Sequence, residues 1–134
     1  MDMPNLKVLL TEDAPDNREL AELVLRRNGF EVVSAGTGEE LMRHLCGGEF
    51  DVLVLDIQLP DVDGLRIVGE LRANEKTARM PIIGVTALAM KGDRERVLEA
   101  GCNAYIEKPY STRTLAKRIE QVVAEARASE APSG

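Results

Sequence analysis

Five short apolar runs punctuate the chain: Leu6–Leu10, Glu31–Ala35, Asp51–Leu55, Pro81–Val85 and Ala104–Ile106. Apolar residues follow one another within them, as in Val52-Leu53-Val54-Leu55, instead of alternating with polar ones. That pattern predicts strands covered on both faces. Between the runs lie stretches with helical periodicity. The first covers Asp16–Asn28, with Leu20, Leu23, Val24 and Arg27 on one stripe and Gly29 as the stop. The second opens at Thr37, where Glu40 three residues on makes a capping-box pattern, and ends at Gly47-Gly48. The third runs over Gly64–Asn74 with Leu65, Val68 and Leu71 aligned, and the fourth over Asp93–Ala100 up to Gly101. The last, Thr112–Arg127, carries Leu115, Ile119, Val122 and Val123 on one face. Strand–helix alternation repeated five times predicts an α/β fold, a five-stranded parallel sheet doubly wound with helices on both faces.

The chain has 134 residues, one domain's worth, and residues 1–127 read as that domain with a small, polar, frayed tail over Ala128–Gly134. Aromatic residues make up only 3 %, so Leu, Val, Ile and Ala must build the core. No apolar run is long enough to cross a bilayer, and the amino terminus has no signal-peptide pattern, so a cytoplasmic location without membrane contact is expected. The net charge of −6 and the scattered basic pairs argue against direct nucleic-acid binding. Cys46 and Cys102 have no metal-ligand spacing and are expected as small buried or half-buried residues.

In a doubly wound sheet, ligands bind beyond the carboxyl ends of the strands. There the sequence sets Glu12-Asp13 after run one, Asp56 after run three, Thr86 after run four and Glu107-Lys108-Pro109 after run five. Three clustered carboxylates repel one another and ask for a cation. An oxygen-only donor set favours Mg²⁺ or Mn²⁺ over zinc. A lysine and a threonine hydroxyl beside such a site suit phosphoryl oxygens. Read separately, Glu12-Asp13 would pass as a helix-opening pair, Asp56 as a turn residue, Lys108 as a solvated lysine and Tyr105 as an edge aromatic. An ionised Asp directly after four apolar strand residues is costly without a partner, which favours the joint reading.

The stretch Asp56-Ile57-Gln58-Leu59-Pro60-Asp61-Val62-Asp63-Gly64 resembles the phosphoacceptor loop of bacterial response-regulator receiver domains. Glu12-Asp13, Thr86-Ala87 and Tyr105-Ile106-Glu107-Lys108-Pro109 follow in the same order and spacing as in that family. Thr86 through Asp93, followed by Gly101-Cys102, is similar to stand-alone regulators of the DivK type and to receivers attached to hybrid histidine kinases. The resemblance implies a flavodoxin/CheY-like strand order of 2-1-3-4-5. It further implies that Asp56 accepts a phosphoryl group from a histidine kinase or histidine phosphotransfer protein. Glu12, Asp13, Asp56 and the Gln58 backbone carbonyl would hold Mg²⁺. Thr86, Ala87 and Lys108 would take phosphoryl oxygens, with Lys108-Pro109 as a cis peptide. Thr86 and Tyr105 would form the switch, and Leu88, Ala89, Met90 and Tyr105 the output face toward a downstream protein. The chain would be a phosphoacceptor switch and not an enzyme acting on other molecules.

Three other readings fit these residues less well. A flavin carrier on the same sheet needs a phosphate loop rich in Ser, Thr and Gly, and the acidic Glu12-Asp13-Ala14-Pro15-Asp16 would repel a phosphate. A non-phosphorylated pseudo-receiver would be expected to lack a key residue, and none is missing. His44, the only histidine, sits on a helix of an α/β chain without the bundle a phosphodonor histidine needs, and reads as a surface or half-buried residue.

Overall fold

The computed structural model describes residues 5–87 and 91–130. Strands and helices alternate as the apolar pattern predicts: β1 (Lys7–Thr11), α1 (Pro15–Arg27), β2 (Glu31–Ala35), α2 (Gly38–Gly47) and β3 (Val52–Asp56), followed by α3 (Gly64–Ala73), β4 (Ile82–Thr86), α4 (Asp93–Ala100), β5 (Ala104–Glu107) and α5 (Thr112–Glu130). All strand pairs are parallel, in the order β2-β1-β3-β4-β5. The expected fold class and strand order are both met. Among the described residues, no helix is long and apolar enough to cross a membrane.

Successive side chains of a strand point to opposite faces, so each apolar run feeds two cores at once. Val8, Leu10, Val52, Val54, Ile83 and Val85 pack with α1 and α5. Leu9, Leu53, Leu55 and Ile82 pack with α2, α3 and α4. The α5 stripe of Leu115, Ile119, Val122 and Val123 is buried as its spacing predicts. That helix also runs on to Glu130, past the point where the composition suggested a frayed tail, because Ala128 can extend a helix at little cost.

Helix α1 departs from the expected face. Leu20 and Leu23 are 55 % and 49 % exposed, and Ala21 and Leu25 are the buried pair. Leu20 to Leu25 offers apolar residues on two stripes, and periodicity does not choose between them. Ala21 allows close approach to the sheet and to α5, which makes its stripe the better core seam. In α3 the stripe is Ile67, Val68 and Leu71, with Leu65 only half-buried. The two cysteines also part ways, since Cys102 is buried and Cys46 is exposed on α2. Burial pushes the Cys102 thiol up to about 11.

Two caps fix the loops near the site. Thr37 accepts the Glu40 N–H at 3.1 Å, the threonine half of the capping box. Asp61, from the β3–α3 loop, accepts the Gly38 and Glu39 N–H groups at 2.8 and 3.1 Å and so caps α2 from outside that helix. These bonds, the Gly38 amide above all, hold the Asp61 carboxyl below its ordinary range. At the far corner, Arg72 bridges two loops, α3–β4 and α4–β5. Its Nε donates to the Gly101 carbonyl at 2.9 Å, and its two terminal nitrogens reach the carbonyls of Thr77, Ala78 and Met80 and the Asn103 Oδ1. Asn103 Oδ1 in turn accepts the Ile82 N–H at 2.9 Å.

Candidate functional site

The carboxyl ends of β1, β3, β4 and β5 lie side by side, and the residues singled out from the sequence meet there. Thr11, the last residue of β1, places the central acid. Its hydroxyl donates to the Val54 carbonyl at 3.1 Å and accepts the Asp56 N–H at 2.7 Å. This tie fixes the end of β3 from the neighbouring strand. Nothing in the sequence marks Thr11 for this role, which consists of a pair of contacts 43 and 45 residues away. The chain then turns sharply, and the Gly64 N–H donates back to the Ile57 carbonyl at 2.9 Å. A Cβ on Gly64 would lie 2.6 Å from Ile57 Cα and 3.0 Å from the Asp56 oxygen of the backbone, so this turn requires glycine.

Glu12 and Asp56 are each about 2 % exposed, yet neither is left as a bare buried charge. Lys108 Nζ sits between them, 2.6 Å from Glu12 Oε2 and 2.7 Å from Asp56 Oδ2. The Gln58 N–H donates to Asp56 Oδ1 at 2.9 Å, so both oxygens of Asp56 are occupied. The lysine thus neutralises part of the repulsion that the acids alone would create. Asp13 is exposed, and oxygens of Glu12, Asp13 and Asp56 lie within 4.8 Å of one another. Carboxylate oxygens at that spacing, with no nitrogen or sulfur donor among them, suit a hard divalent cation.

The electrostatics follow from this packing. Burial raises the Asp56 carboxyl above its ordinary range; the Lys108 hydrogen bond and charge and the Gln58 amide pull it back in part, and the Glu12 charge adds to the rise. Burial pushes Lys108 down, but its hydrogen bonds to Asp56 and Glu12, together with their charges, prevail and hold it above its usual value. The amine is therefore a fixed cation at any physiological pH.

Thr86 ends β4 and is buried, and Ala87 after it is exposed. The Gln58 side chain reaches both, with Nε2 2.6 Å from Thr86 Oγ1 and Oε1 accepting the Ala87 N–H at 3.2 Å. The Lys108–Pro109 peptide is cis, and the Lys108 N–H donates to the Thr86 carbonyl at 2.8 Å. Tyr105, on β5, is half-buried against the α2–α3–α4 core. Partial burial raises its hydroxyl's pKa, and Glu107, Asp93 and Glu95 add to the rise. Of the expected output strip, Leu88, Ala89 and Met90 lie outside the described residues. His44 is half-buried on α2 and far in sequence from every group named here. A concave surface of about 390 Å³ opens beside Lys108, lined by Asn17, Leu20, Ala21, Pro109 and Tyr110 among others.

Comparison with known proteins agrees with this geometry. The model of the response regulator receiver domain matches residues 8–120. The polar-differentiation response regulator DivK of Brucella ovis is 35 % identical over 119 residues, covering 89 % of this chain and 97 % of that protein. The transcriptional regulatory protein GltR of Pseudomonas aeruginosa is 37 % identical over 127 residues, covering 95 % of this chain; the chain spans about half of that relative, 52 % of its length. Among solved structures, the receiver domain of a Pseudomonas aeruginosa sensor histidine kinase superposes with a TM-score of 0.80 at 35 % identity, over 90 % of this chain and 98 % of that one. That structure holds a magnesium ion coordinated in its active-site cleft.

Proposed function

Because the chain belongs to the response regulator receiver domain family, we propose that it is a phosphorylation switch in which Asp56 accepts a phosphoryl group from a histidine kinase or a histidine phosphotransfer protein. The observation that carries this reading is the placing of Asp56. It is a buried carboxylate at a strand end, held by Thr11 and Gln58 through its backbone and one oxygen and by Lys108 on the other. An oxygen of Asp56 attacks the phosphorus in line; the O–P bond forms as the P–N bond of the phosphohistidine breaks, and the imidazole leaves with the electron pair. Lys108 then exchanges a carboxylate partner for a phosphoryl oxygen, and Thr86 and the Ala87 N–H bind others.

Glu12, Asp13, Asp56 and the Gln58 backbone carbonyl are the groups that would hold Mg²⁺, with Mn²⁺ as a substitute. Bound there, the cation supplies positive charge that offsets both the acids and the incoming phosphoryl oxygens. The donor's approach is supported by the surface beside Lys108, where the exposed Leu20 adjoins Pro109 and Tyr110. The signal would leave through the face of α4, β5 and α5, with Tyr105 turning inward as Thr86 moves, toward a downstream protein. The reading as a single-domain regulator draws on the Brucella DivK relatives, matched over 97 % of their length.

Incubation with Mg²⁺ and a small phosphodonor should raise the intact mass by one phosphoryl unit. Asp56→Ala should abolish the gain. A phosphoryl group found on another residue of the wild-type protein would overturn the assignment.

A further inference from the structure

The side chain of Gln58 has no part in the chemistry so far described, yet its contacts are the most pointed in the site. Its backbone N–H holds Asp56 Oδ1 at 2.9 Å, and its carboxamide crosses from the β3–α3 loop to the end of β4. The orientation of that amide is fixed by chemistry. The Ala87 N–H can only donate, so the atom facing it at 3.2 Å must be the oxygen. The NH₂ then faces the Thr86 hydroxyl at 2.6 Å and donates to it. One side chain therefore engages the hydroxyl and the amide that, on the reading above, bind phosphoryl oxygens.

We propose that the Gln58 carboxamide is a latch that holds the Thr86–Ala87 corner in its unphosphorylated arrangement and must let go before Asp56 can keep a phosphoryl group. This rests on the receiver reading and deepens it. The latch opposes activation in two ways: it uses the single Ala87 N–H that a phosphoryl oxygen also needs, and by donating to the Thr86 hydroxyl it ties that side chain to Gln58 instead of leaving it to move toward Asp56. Gln58 is exposed, so water replaces the lost bonds readily and release is reversible. The length of the side chain is part of the device. Asparagine, one methylene shorter, cannot hold Asp56 through its backbone and still span both Thr86 and Ala87. Methionine keeps the length and loses both bonds.

The test is a titration of the protein with beryllium fluoride at saturating Mg²⁺, followed by the amide resonances of Thr86 and Ala87. Gln58→Met and Gln58→Asn leave the backbone carbonyl in place. Both should lower the half-saturating beryllium fluoride concentration, by roughly fivefold for the loss of two neutral hydrogen bonds, one exposed and one part-buried. Both should also speed hydrogen exchange of the Ala87 amide in the unliganded protein, an effect that a general loss of stability would spread over the whole sheet. A half-saturation equal to or above that of the wild type in Gln58→Met overturns the latch while leaving the receiver reading intact. Absence of uptake by the wild type overturns both.

Discussion

Replacing Lys108 by methionine keeps the stem and removes the cation that two buried acids share. In the folded protein Glu12 and Asp56 would then face each other with neither paired. Truncating one partner of a buried ion pair costs about 3–5 kcal/mol. The lysine side chain is 19 % exposed, so water offsets part of the loss. Asp56 offers a second relief, since burial already raises its carboxyl and the absence of Lys108 raises it further, so that it takes up a proton at a higher pH than in the wild type. The lower end of the range applies, about 3 kcal/mol, or on the order of 10 °C in melting temperature for a domain of this size.

The pH dependence separates this account from a general packing defect. A carboxyl whose folded pKa lies above its unfolded value binds the proton more tightly when folded. Stability therefore rises as pH falls through the folded pKa, and levels off below the unfolded value of about 3.9. The wild-type lysine works in the opposite range. Its contribution is complete below the unfolded lysine pKa of about 10.4 and is lost as pH climbs through the raised folded value. Thermal melts of both proteins from mildly acidic to neutral pH should show the gap closing as the medium is acidified. Added Mg²⁺ should stabilise the variant more than the wild type, because in the wild type Lys108 already offsets the charge of Glu12 and Asp56. A variant that melts with the wild type at neutral pH, or a gap that ignores acid and Mg²⁺ alike, would refute the reasoning.

Two further outcomes follow from features outside the acidic cluster. Arg72→Met strips hydrogen bonds from four backbone carbonyls and Asn103, and should cost about 3 kcal/mol, read as a fall in the urea midpoint; a loss under about 1 kcal/mol would show the clamp to be redundant. Leu20→Asp changes an exposed side chain and should leave stability within about 0.5 kcal/mol. It should nonetheless slow transfer from whichever histidine kinase labels the wild type, with labelling by a small phosphodonor unchanged. Equal loss with both donors would remove this surface from the docking site.

Much of the fold was legible because the sheet is covered on both faces. Runs such as Val52 to Leu55 carry a strand signal that no helix of this length would share. The site was legible for a related reason, since charged residues directly after such runs can only lie at the strand ends. What remained hidden was decided by tertiary contact. The Ala21–Leu25 seam and the Leu20–Leu23 stripe have equal claims by periodicity, and only the approach of α5 selects between them. Thr11 acts on backbone groups and Arg72 mostly so, and such groups carry no residue-specific mark in a sequence. That Lys108 lies on the Glu12 and Asp56 oxygens is likewise a contact between distant parts of the chain, which spacing along the sequence does not mark.

The aliphatic core has a consequence for measurement. The chain has no tryptophan, and its two tyrosines stand on either side of Lys108. Tyr105 leans on the α2–α3–α4 core and Tyr110 on the opposite one, where burial and then the Glu12 charge raise its hydroxyl. Tyrosine emission from the native protein therefore originates on β5, at Tyr105, and in the turn that follows it, at Tyr110. On the function proposed above, the molecule carries an optical reporter beside the corner where occupancy of Asp56 would be felt, and titrations could be followed without a dye or an introduced fluorophore.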